Sequence, residues 1–234
     1  LGAEPGGCLV AFDHQSGQEV WRAGLDPAGY CTPVLIELES GPQLVCWTPL
    51  HVLGIAPKSG QVLWSIPYEV KHGISIASPI FHENLLLVSS YWEGTKAIRL
   101  GPDSRDAELA WTDRNLLRGL MSQPLYRDGQ VYLLDKFYGL SCFELATGRK
   151  LWDDQKTMTP KGAHPQATMV WTGHGDKALV LNSDGQLILA RFNPDGYQEL
   201  SRTKIIDPTW AHPAFSGRFI YARDDKELVC VELK

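Results

Sequence analysis

Hydrophobic and polar residues alternate in short runs along the whole chain. The run Gln130–Leu134 is rich in β-branched and aromatic residues, and Leu140–Leu145 alternates with a period of two. A period of two places successive side chains on opposite faces of a β-strand. Turn-forming residues such as Asp128 and Gly129 separate the runs. No stretch shows a 3.6-residue period over a helical length, so the pattern predicts an all-β protein.

Residues 123–152 contain one complete unit of this pattern. Its predicted elements are the strand Pro124–Tyr126, the turn Arg127–Gly129, the strand Gln130–Leu134, the strand Leu140–Leu145, the turn Thr147–Gly148 and the outer strand Lys150–Trp152. Four antiparallel strands in about 45 residues is the size of one β-propeller blade. The unit therefore predicts a propeller of four-stranded blades.

A short motif recurs through the chain, in which Ser or Thr precedes Gly and Trp follows the Gly by four positions. The copies are Ser16–Trp21, Ser59–Trp64 and Thr147–Trp152, with a degenerate copy ending at Trp111 and a weaker copy, Asp195–Leu200, that has Leu in the Trp position. The copies end 41–48 residues apart. A fixed period of this length indicates stacked repeats of one supersecondary unit.

A second landmark, a polar residue followed by Pro, keeps nearly the same period. It occurs at Thr32–Pro33, Ser78–Pro79, Gln123–Pro124, His164–Pro165 and His212–Pro213. Because two independent landmarks keep the same order, the sequence predicts about five units. The shared position of His164 and His212 favours a structural role over a catalytic pair.

The Trp and Gly of the motif have predicted structural roles. A blade is a small sheet that cannot bury both faces alone, and a Trp on the outer strand buries about 150–250 Å² against its neighbour. We therefore predict docking roles for Trp21, Trp64, Trp111 and Trp152. The preceding glycines suit turn positions with positive φ, which we predict for Gly17, Gly60 and Gly148.

These motifs resemble the PQQ-like (quinoprotein-type) β-propeller repeat, over residues 8–234. The family includes dehydrogenases that use pyrroloquinoline quinone (PQQ) with calcium, and bacterial members without quinone, such as the outer-membrane assembly lipoprotein. The resemblance implies a periplasmic or otherwise extracytoplasmic location. The dehydrogenases carry adjacent cysteines and a Glu/Asn/Asp calcium set, and neither maps onto this sequence. We therefore predict no catalytic, cofactor-binding or metal-binding residues and no cofactor.

The ends of the chain leave two arrangements open for this single domain, residues 1–234. The chain opens inside a unit, at Cys8–Phe12 and Glu19–Trp21, and closes with three apparent strands. The N-terminal outer strand can complete the last blade and close a small ring of about five blades. Alternatively, the chain is the C-terminal arc of a ring of seven or eight blades, and its incomplete ends favour a homodimer. Because the chain begins at Leu1, without a Met and without a signal-peptide pattern, we expect a processed product or a fragment.

Charge, apolar runs and cysteine spacing limit the classes of partner and site. The 234 residues carry a formal net charge of −5 without a basic cluster, which argues against nucleic acid. No apolar run approaches the ~20 residues of a membrane span. The five cysteines form no CxxC motif, and we expect most of them to pack as small hydrophobic residues.

Aromatic residues outside the docking position are the candidate ligand-binding residues. Tyr91 and Trp92 lie in a loop between two strands, and Trp171, Trp210 and Trp47 also fall outside the repeat position. Either they pack on the blades or they form a rim patch for a peptide or a sugar. The segment Arg223–Lys226 is predicted to be a solvated charged turn.

The leading prediction is a non-catalytic propeller scaffold that binds protein outside the cytoplasm. The first alternative is a PQQ-dependent dehydrogenase or a degenerate relative. The second is a carbohydrate-binding propeller that uses Tyr91, Trp92, Trp171 and Trp210. No nucleophile elbow, phosphate loop or dinucleotide fingerprint occurs in the sequence, which argues against the common soluble enzyme classes.

Overall fold

The computed structural model describes residues 7–119, 121–162, 164 and 166–233. Pro165, one of the five predicted Pro landmarks, lies outside the described residues. The chain forms two compact units, Leu1–Arg118 (unit 1) and Gly119–Lys234 (unit 2). The two units are described separately below.

The described residues are almost entirely β-strand, with one short 3₁₀ helix, η1 (Lys71–Gly73). The strands of unit 1 are β1 (Leu9–Phe12), β2 (Glu19–Ala23), β3 (Val34–Leu38), β4 (Gly41–Trp47), β5 (His51–Ile55), β6 (Val62–Pro67), β7 (Ile80–His82), β8 (Leu85–Ser90), β9 (Gly94–Leu100) and β10 (Ala107–Asp113). The strands of unit 2 are β11 (Leu125–Arg127), β12 (Gln130–Asp135), β13 (Gly139–Glu144), β14 (Lys150–Asp153), β15 (Ala167–Trp171), β16 (Lys177–Asn182), β17 (Gln186–Asn193), β18 (Gly196–Lys204), β19 (Ala214–Ser216), β20 (Phe219–Arg223) and β21 (Leu228–Glu232).

The strands form consecutive antiparallel sheets in chain order. Four sheets have four strands: sheet II (β3–β6), sheet III (β7–β10), sheet IV (β11–β14) and sheet V (β15–β18). Sheet I (β1–β2) has two strands and sheet VI (β19–β21) has three. The predicted all-β fold of four-stranded antiparallel blades is therefore confirmed. Where the structure describes it, the Pro of each landmark directly precedes a first strand, at Pro33, Pro79, Pro124 and Pro213.

In sheet IV a two-residue turn sets the register between the first and second strands. Arg127 pairs with Gln130, so Asp128 and Gly129 alone form the turn, with φ of 48° and 84°. Positive φ at both central residues is the type I′ geometry, whose twist matches that of the flanking strands. Glycine tolerates this conformation because it has no Cβ.

Facing sheets bury a separate core in each unit. In unit 1, Trp47 stacks on Tyr68 with ring centroids 5.4 Å apart, within a cluster that includes residues of sheets II and III. In unit 2, Tyr132 of sheet IV lies 5.5 Å from Trp171 and 5.6 Å from Phe192 of sheet V. Aromatic side chains thus fill the spaces between neighbouring sheets in both units.

A β-bulge in the fourth strand sets the docking position. In sheets I–IV the bulge leaves one residue unpaired immediately before the Trp, and the Trp faces a small residue on the third strand. These pairs are Trp21–Ala11, Trp64–Gly54, Trp111–Ala97 and Trp152–Cys142.

In sheet V the predicted position of the docking residue is wrong by one. The bulge skips Leu200, and the residue that pairs with the third strand is Ser201, opposite Leu189. The prediction counted four positions from Gly196. However, Asn193 pairs with Gly196, so this hairpin has a two-residue turn and longer strands than the other repeats. Ser201, not Leu200, therefore occupies the Trp position.

Candidate interaction surface

The strand order gives each blade two different edges. Consecutive antiparallel strands reverse direction, so connections between sheets emerge beside the turns that join second and third strands. We call this the crossover edge. Turns between first and second strands, and between third and fourth strands, emerge at the opposite edge, which we call the hairpin edge.

Exposed apolar side chains are concentrated at the crossover edge. Among the described residues outside strands, all the exposed large hydrophobic side chains lie in connections between sheets or in turns between second and third strands. They are Leu25, Tyr30, Leu50 and Leu116 in unit 1, and Phe137 and Trp210 in unit 2. Leu25 is 91% exposed and Tyr30 is 74% exposed. The turns of the hairpin edge are mainly polar residues and glycines, such as Glu39–Ser40 and Asp128–Gly129.

In unit 1 the loops of the crossover edge are linked to one another. His51 Nδ1 lies 2.9 Å from Asp26 Oδ2, and this contact joins the β2–β3 connection to the β4–β5 turn. Three further hydrogen bonds continue the series: Tyr30 N–H donates to Ser75 O at 3.1 Å, Val70 N–H donates to Pro49 O at 2.8 Å, and Lys71 N–H donates to Glu93 Oε1 at 3.2 Å. The loops therefore form one continuous, ordered surface, which we call the unit 1 crossover surface.

Tyr91 and Trp92 belong to this surface. Their rings are 4.5 Å apart in an edge-on contact, and Trp92 also meets His72 edge-on at 5.3 Å. Both side chains are half-buried. They combine packing with partial exposure, so the unit 1 crossover surface includes partly exposed aromatic side chains.

A charged cavity of about 520 Å³ adjoins these aromatic residues. It is lined by Pro67, Tyr68, Glu69, Lys71, Glu93, Lys96 and Arg114. Lys96 Nζ donates to Pro67 O at 2.8 Å and lies 4.6 Å from the centre of the Tyr68 ring. Burial lowers the pKa of Lys96, and the neighbouring Arg114 lowers it further. The cavity thus offers both signs of charge beside an apolar surface.

Trp171 and Trp47 lie in different kinds of position. Trp171 ends the first strand of sheet V and so lies at the hairpin edge, where its Nε1–H donates to Tyr126 O at 3.1 Å. The Arg127 guanidinium stacks 4.0 Å from its ring. Trp47 is 1% exposed and belongs to the core. Within unit 1, Trp47 therefore lies in the core and not with Tyr91 and Trp92.

Trp210 lies on the crossover edge of unit 2 and is 61% exposed. It lines a cavity of about 460 Å³ with Ser183, Pro208, Thr209, Ala211, Arg223 and Asp225. Arg223, Asp225 and Lys226 are exposed, as expected for the predicted solvated turn, whereas Asp224 is buried. Its carboxylate accepts the N–H groups of Lys226 at 2.7 Å, Glu227 at 2.9 Å and Asp207 at 3.1 Å. The Lys226 bond is the main cause that lowers the pKa of Asp224.

The docking tryptophans bridge neighbouring sheets. Trp21 of sheet I donates from Nε1–H to Pro57 O at 3.0 Å, in the hairpin turn of sheet II. Trp152 of sheet IV makes the corresponding bond to Asn193 O of sheet V at 2.9 Å. A Cβ added at Gly60 would lie 2.6 Å from the Trp21 ring, so this glycine provides the flat surface that receives the indole.

Trp64 reaches the next sheet through an intermediate side chain. Its Nε1–H donates to Gln43 Oε1 at 2.7 Å, and Gln43 Nε2–H donates to Ser104 O of sheet III at 3.0 Å. Both Trp64 and Gln43 are buried. Gln43 could not be predicted, because a lone Gln in a strand carries no motif.

Gly17 and Gly148 have φ of 69° and 71°, close to the 72° of Gly60. The three glycines thus share the left-handed turn conformation, although nothing lies within 4 Å of a Cβ added at Gly17. Trp111 is half-buried in the fourth strand of sheet III.

Acidic, histidine and cysteine side chains are the groups that could form a metal site. In the described part of the chain, no group of three or more His, Cys, Asp or Glu residues is arranged to hold a metal ion. All five cysteines are free thiols; Cys8, Cys46 and Cys142 are buried, and Cys230 is exposed. Burial raises the pKa of Cys142 to about 12. No helix among the described residues is long and apolar enough to cross a membrane.

Consecutive antiparallel sheets, with a tryptophan on the fourth strand of sheets I–IV, define the chain as a β-propeller of the PQQ-like repeat type. The family model described as outer membrane protein assembly factor BamB matches residues 50–234. The chain belongs to that family. No curated protein sequence matches the chain significantly.

Solved propellers are similar to this chain in fold. BamB from Moraxella catarrhalis has 16% identity and a TM-score of 0.51, covering 94% of this chain and 77% of that one. The computationally designed Ika8 protein has 13% identity and a TM-score of 0.65, covering 98% and 66%. A chain of the mitotic checkpoint complex has 12% identity and a TM-score of 0.64, covering 96% and 68%. The chain therefore spans between about two thirds and three quarters of the length of these structures.

Proposed function

We propose that this chain is a non-catalytic propeller scaffold that binds a protein of the outer-membrane assembly machinery, outside the cytoplasm. The family description names outer membrane protein assembly, which supports both the proposed class of partner and a location outside the cytoplasm. The similar fold in a chain of the mitotic checkpoint complex supports a role in protein assemblies.

The observation that carries this proposal is the asymmetry between the two edges. Apolar side chains on loops cost free energy in water and are kept at sites of association. In unit 1 they lie on loops that hydrogen bonds hold in place, so little ordering is needed on binding. The unit 1 crossover surface, with Leu25, Tyr30, Leu50, Tyr91 and Trp92, is the proposed contact.

Site-specific photocrosslinking tests which surface contacts the partner. A photoreactive phenylalanine analogue at Tyr30 or Leu50 should crosslink to the purified assembly proteins of the same organism. The same analogue at Glu39 or Lys58, exposed on the hairpin edge of the same unit, is the matched control. Equal crosslinking at both edges, or none at either, contradicts the proposed surface.

The absence of quinone chemistry is part of the proposal and has its own test. The sequence lacks the adjacent cysteines and calcium ligands of the dehydrogenases. Titration with PQQ and calcium should therefore change neither the absorbance of the quinone nor the melting temperature of the protein. A saturable micromolar interaction with a matching rise in melting temperature would favour the dehydrogenase alternative.

One observation favours carbohydrate binding as a second candidate. The exposed indole of Trp210 lies beside Arg223 and Asp225, and pyranose rings bind between an aromatic face and paired hydrogen-bonding groups. A glycan array probed with the wild type, with Trp210→Ala and with Trp92→Ala tests it. Binding that is lost only with Trp210→Ala supports this site.

We further propose that the 234-residue chain associates with a second copy through its terminal sheets, as its incomplete blades suggest.

A further inference from the structure

The tryptophan repeat is interrupted in sheet V. Ser201 occupies the position that Trp holds in sheets I–IV, and its cross-strand partner is Leu189. The corresponding partners in the other sheets are all small: Ala11, Gly54, Ala97 and Cys142. In sheet V the larger residue of the pair thus lies on the third strand and not on the fourth. A Leu–Ser pair also fills less volume than Trp paired with Ala, Gly or Cys.

A cavity of about 470 Å³ lies at this position in unit 2, between sheets V and VI. Leu179, Leu187 and Leu189 of sheet V form its apolar floor, and Val231 and Leu233 form the facing wall. Its other lining residues are Thr172, Lys177, Ser201, Thr203 and Glu232.

The position of the cavity corresponds to that of the indoles at other junctions. Ser201 and Thr203 pair with Leu189 and Leu187, so all four side chains share the face of sheet V that is directed towards sheet VI. The same face of sheet I carries Trp21, whose Nε1–H reaches Pro57 O of sheet II. Among the described residues, the cavity therefore lies at a position that an indole occupies in sheet I, beside exposed Ser201 and Thr203.

The polar rim also suits an indole. The hydroxyls of Thr172, Ser201 and Thr203 can accept the N–H of an indole. Lys177 is exposed and Glu232 is ion-paired with Arg218, so the lining presents no buried, unpaired charge that would select a charged side chain. An apolar floor with a few polar groups at its mouth is the usual composition of a small-ligand site.

We propose that this cavity binds a tryptophan side chain presented by a partner polypeptide. The inference rests on the proposed protein-binding function and adds to it a pocket and the chemistry of the residue that enters it. Burial of an aromatic anchor in a preformed pocket is the usual centre of a protein interface.

The first test uses N-acetyl-tryptophanamide as the probe and the whole chain as the receptor. Methyl NMR of leucine-labelled protein should show shifts of Leu187, Leu189 and Leu233 during titration to about 10 mM, the range of a weak single-residue ligand. N-acetyl-leucinamide is the control ligand. No shifts at these methyl groups, or equal shifts with the control ligand, would overturn the proposal.

Two Trp substitutions at adjacent positions form the matched pair. Ser201→Trp places an indole in the cavity, and it should abolish the shifts caused by the probe. Leu200→Trp places the same side chain at the unpaired bulge residue and should leave these shifts unchanged. The double variant Leu189→Ala/Ser201→Trp restores the small–large pair and should raise the melting temperature by about 2–6 °C. Probe shifts that persist in Ser201→Trp contradict the site.

The partner test separates this inference from the proposed function. Purified assembly proteins should bind Ser201→Trp at least about tenfold more weakly than Leu200→Trp, a difference that loss of one aromatic anchor readily produces. Equal, undiminished binding by both variants overturns the cavity as a docking site and leaves the proposed function intact. If no assembly protein binds the wild type while the probe does, the proposed function fails and the indole is not one presented by that machinery.

Discussion

At the scale of single residues, each docking tryptophan depends on the surface that receives it. Trp21 meets Gly60 and the carbonyl of Pro57, whereas Trp64 depends on the amide of Gln43. The indole therefore contributes apolar burial in every case, but its hydrogen bond differs from one junction to the next. Substitutions at equivalent positions should consequently have unequal effects.

Trp64→Ala should destabilise the protein strongly. Trp64 is 6% exposed and lies in the core of unit 1, and large-to-small changes at buried aromatic residues cost about 3–5 kcal/mol. The variant also leaves Gln43 Oε1 buried without its donor. Trp92→Ala, at a half-buried position, should cost markedly less. Urea unfolding of the two variants checks the order, and equal losses would contradict the docking assignment.

Gly60→Ala should destabilise more than Gly17→Ala. Both glycines have nearly the same positive φ, so both substitutions carry the same backbone strain of about 1–2 kcal/mol. Only at Gly60 does the new methyl group meet an indole, that of Trp21. The difference in unfolding free energy between the two variants therefore isolates the docking contact. Identical losses would show that the glycine serves the turn alone.

The residues that the sequence could predict were those with a repeated spacing. Trp21, Trp64 and Trp152 all follow a Gly by four positions, and each lies on a fourth strand. Leu200 was misassigned because the same spacing was applied to a hairpin whose turn has a different length. Gln43 was missed because its role depends on two residues far away in the chain.

At the scale of elements, turn chemistry and period two located most strands. The predicted second strand of sheet IV, Gln130–Leu134, differs from β12 by one residue at its end. The asymmetry of the two edges could not be predicted this way. Leu25, Leu50 and Phe137 are isolated apolar residues in different loops, and only the strand order brings their loops to the same kind of edge.

Hydrogen exchange should distinguish a central strand from a terminal one. Every residue of β8 is buried, and the strand pairs with β7 on one side and with β9 on the other. Within the described residues, β21 pairs with β20 alone, so one of its edges presents unpaired backbone groups. Mass spectrometry should find that amides of 85–90 exchange far more slowly than those of 228–232. Equal protection would mean that another strand covers β21.

At the scale of the whole molecule, the two terminal sheets duplicate a strand position. β2 carries Trp21 and is therefore the fourth strand of its blade, which makes β1 the third strand. In sheet VI the third strand is β21. β2 pairs with β1, from the Leu9/Ala23 pair to the Phe12/Glu19 pair. To act as the fourth strand of sheet VI, β2 would have to lose this pairing, or β1 would have to join as well and make a sheet of five strands. Simple completion of one blade by the chain's own first sheet is therefore disfavoured.

The outward side of sheet VI gives this argument a measurable consequence. Phe219, Tyr221 and Leu228 are exposed on it, and Leu228 is 72% exposed. A propeller covers such a face with another sheet, and an uncovered face favours association. We therefore expect the 234-residue chain to form a two-fold dimer in sedimentation velocity, with a dimer fraction that rises with protein concentration.

The double variant Tyr221→Lys/Leu228→Lys should shift the dimer to monomer, since the substitutions place two like charges on the outward side of sheet VI. Leu109→Lys, at an exposed position on β10, is the control and should leave the dimer unchanged. A wild-type chain that stays monomeric to about 100 μM, well above the dissociation constant of an ordinary apolar interface, would contradict association through this face.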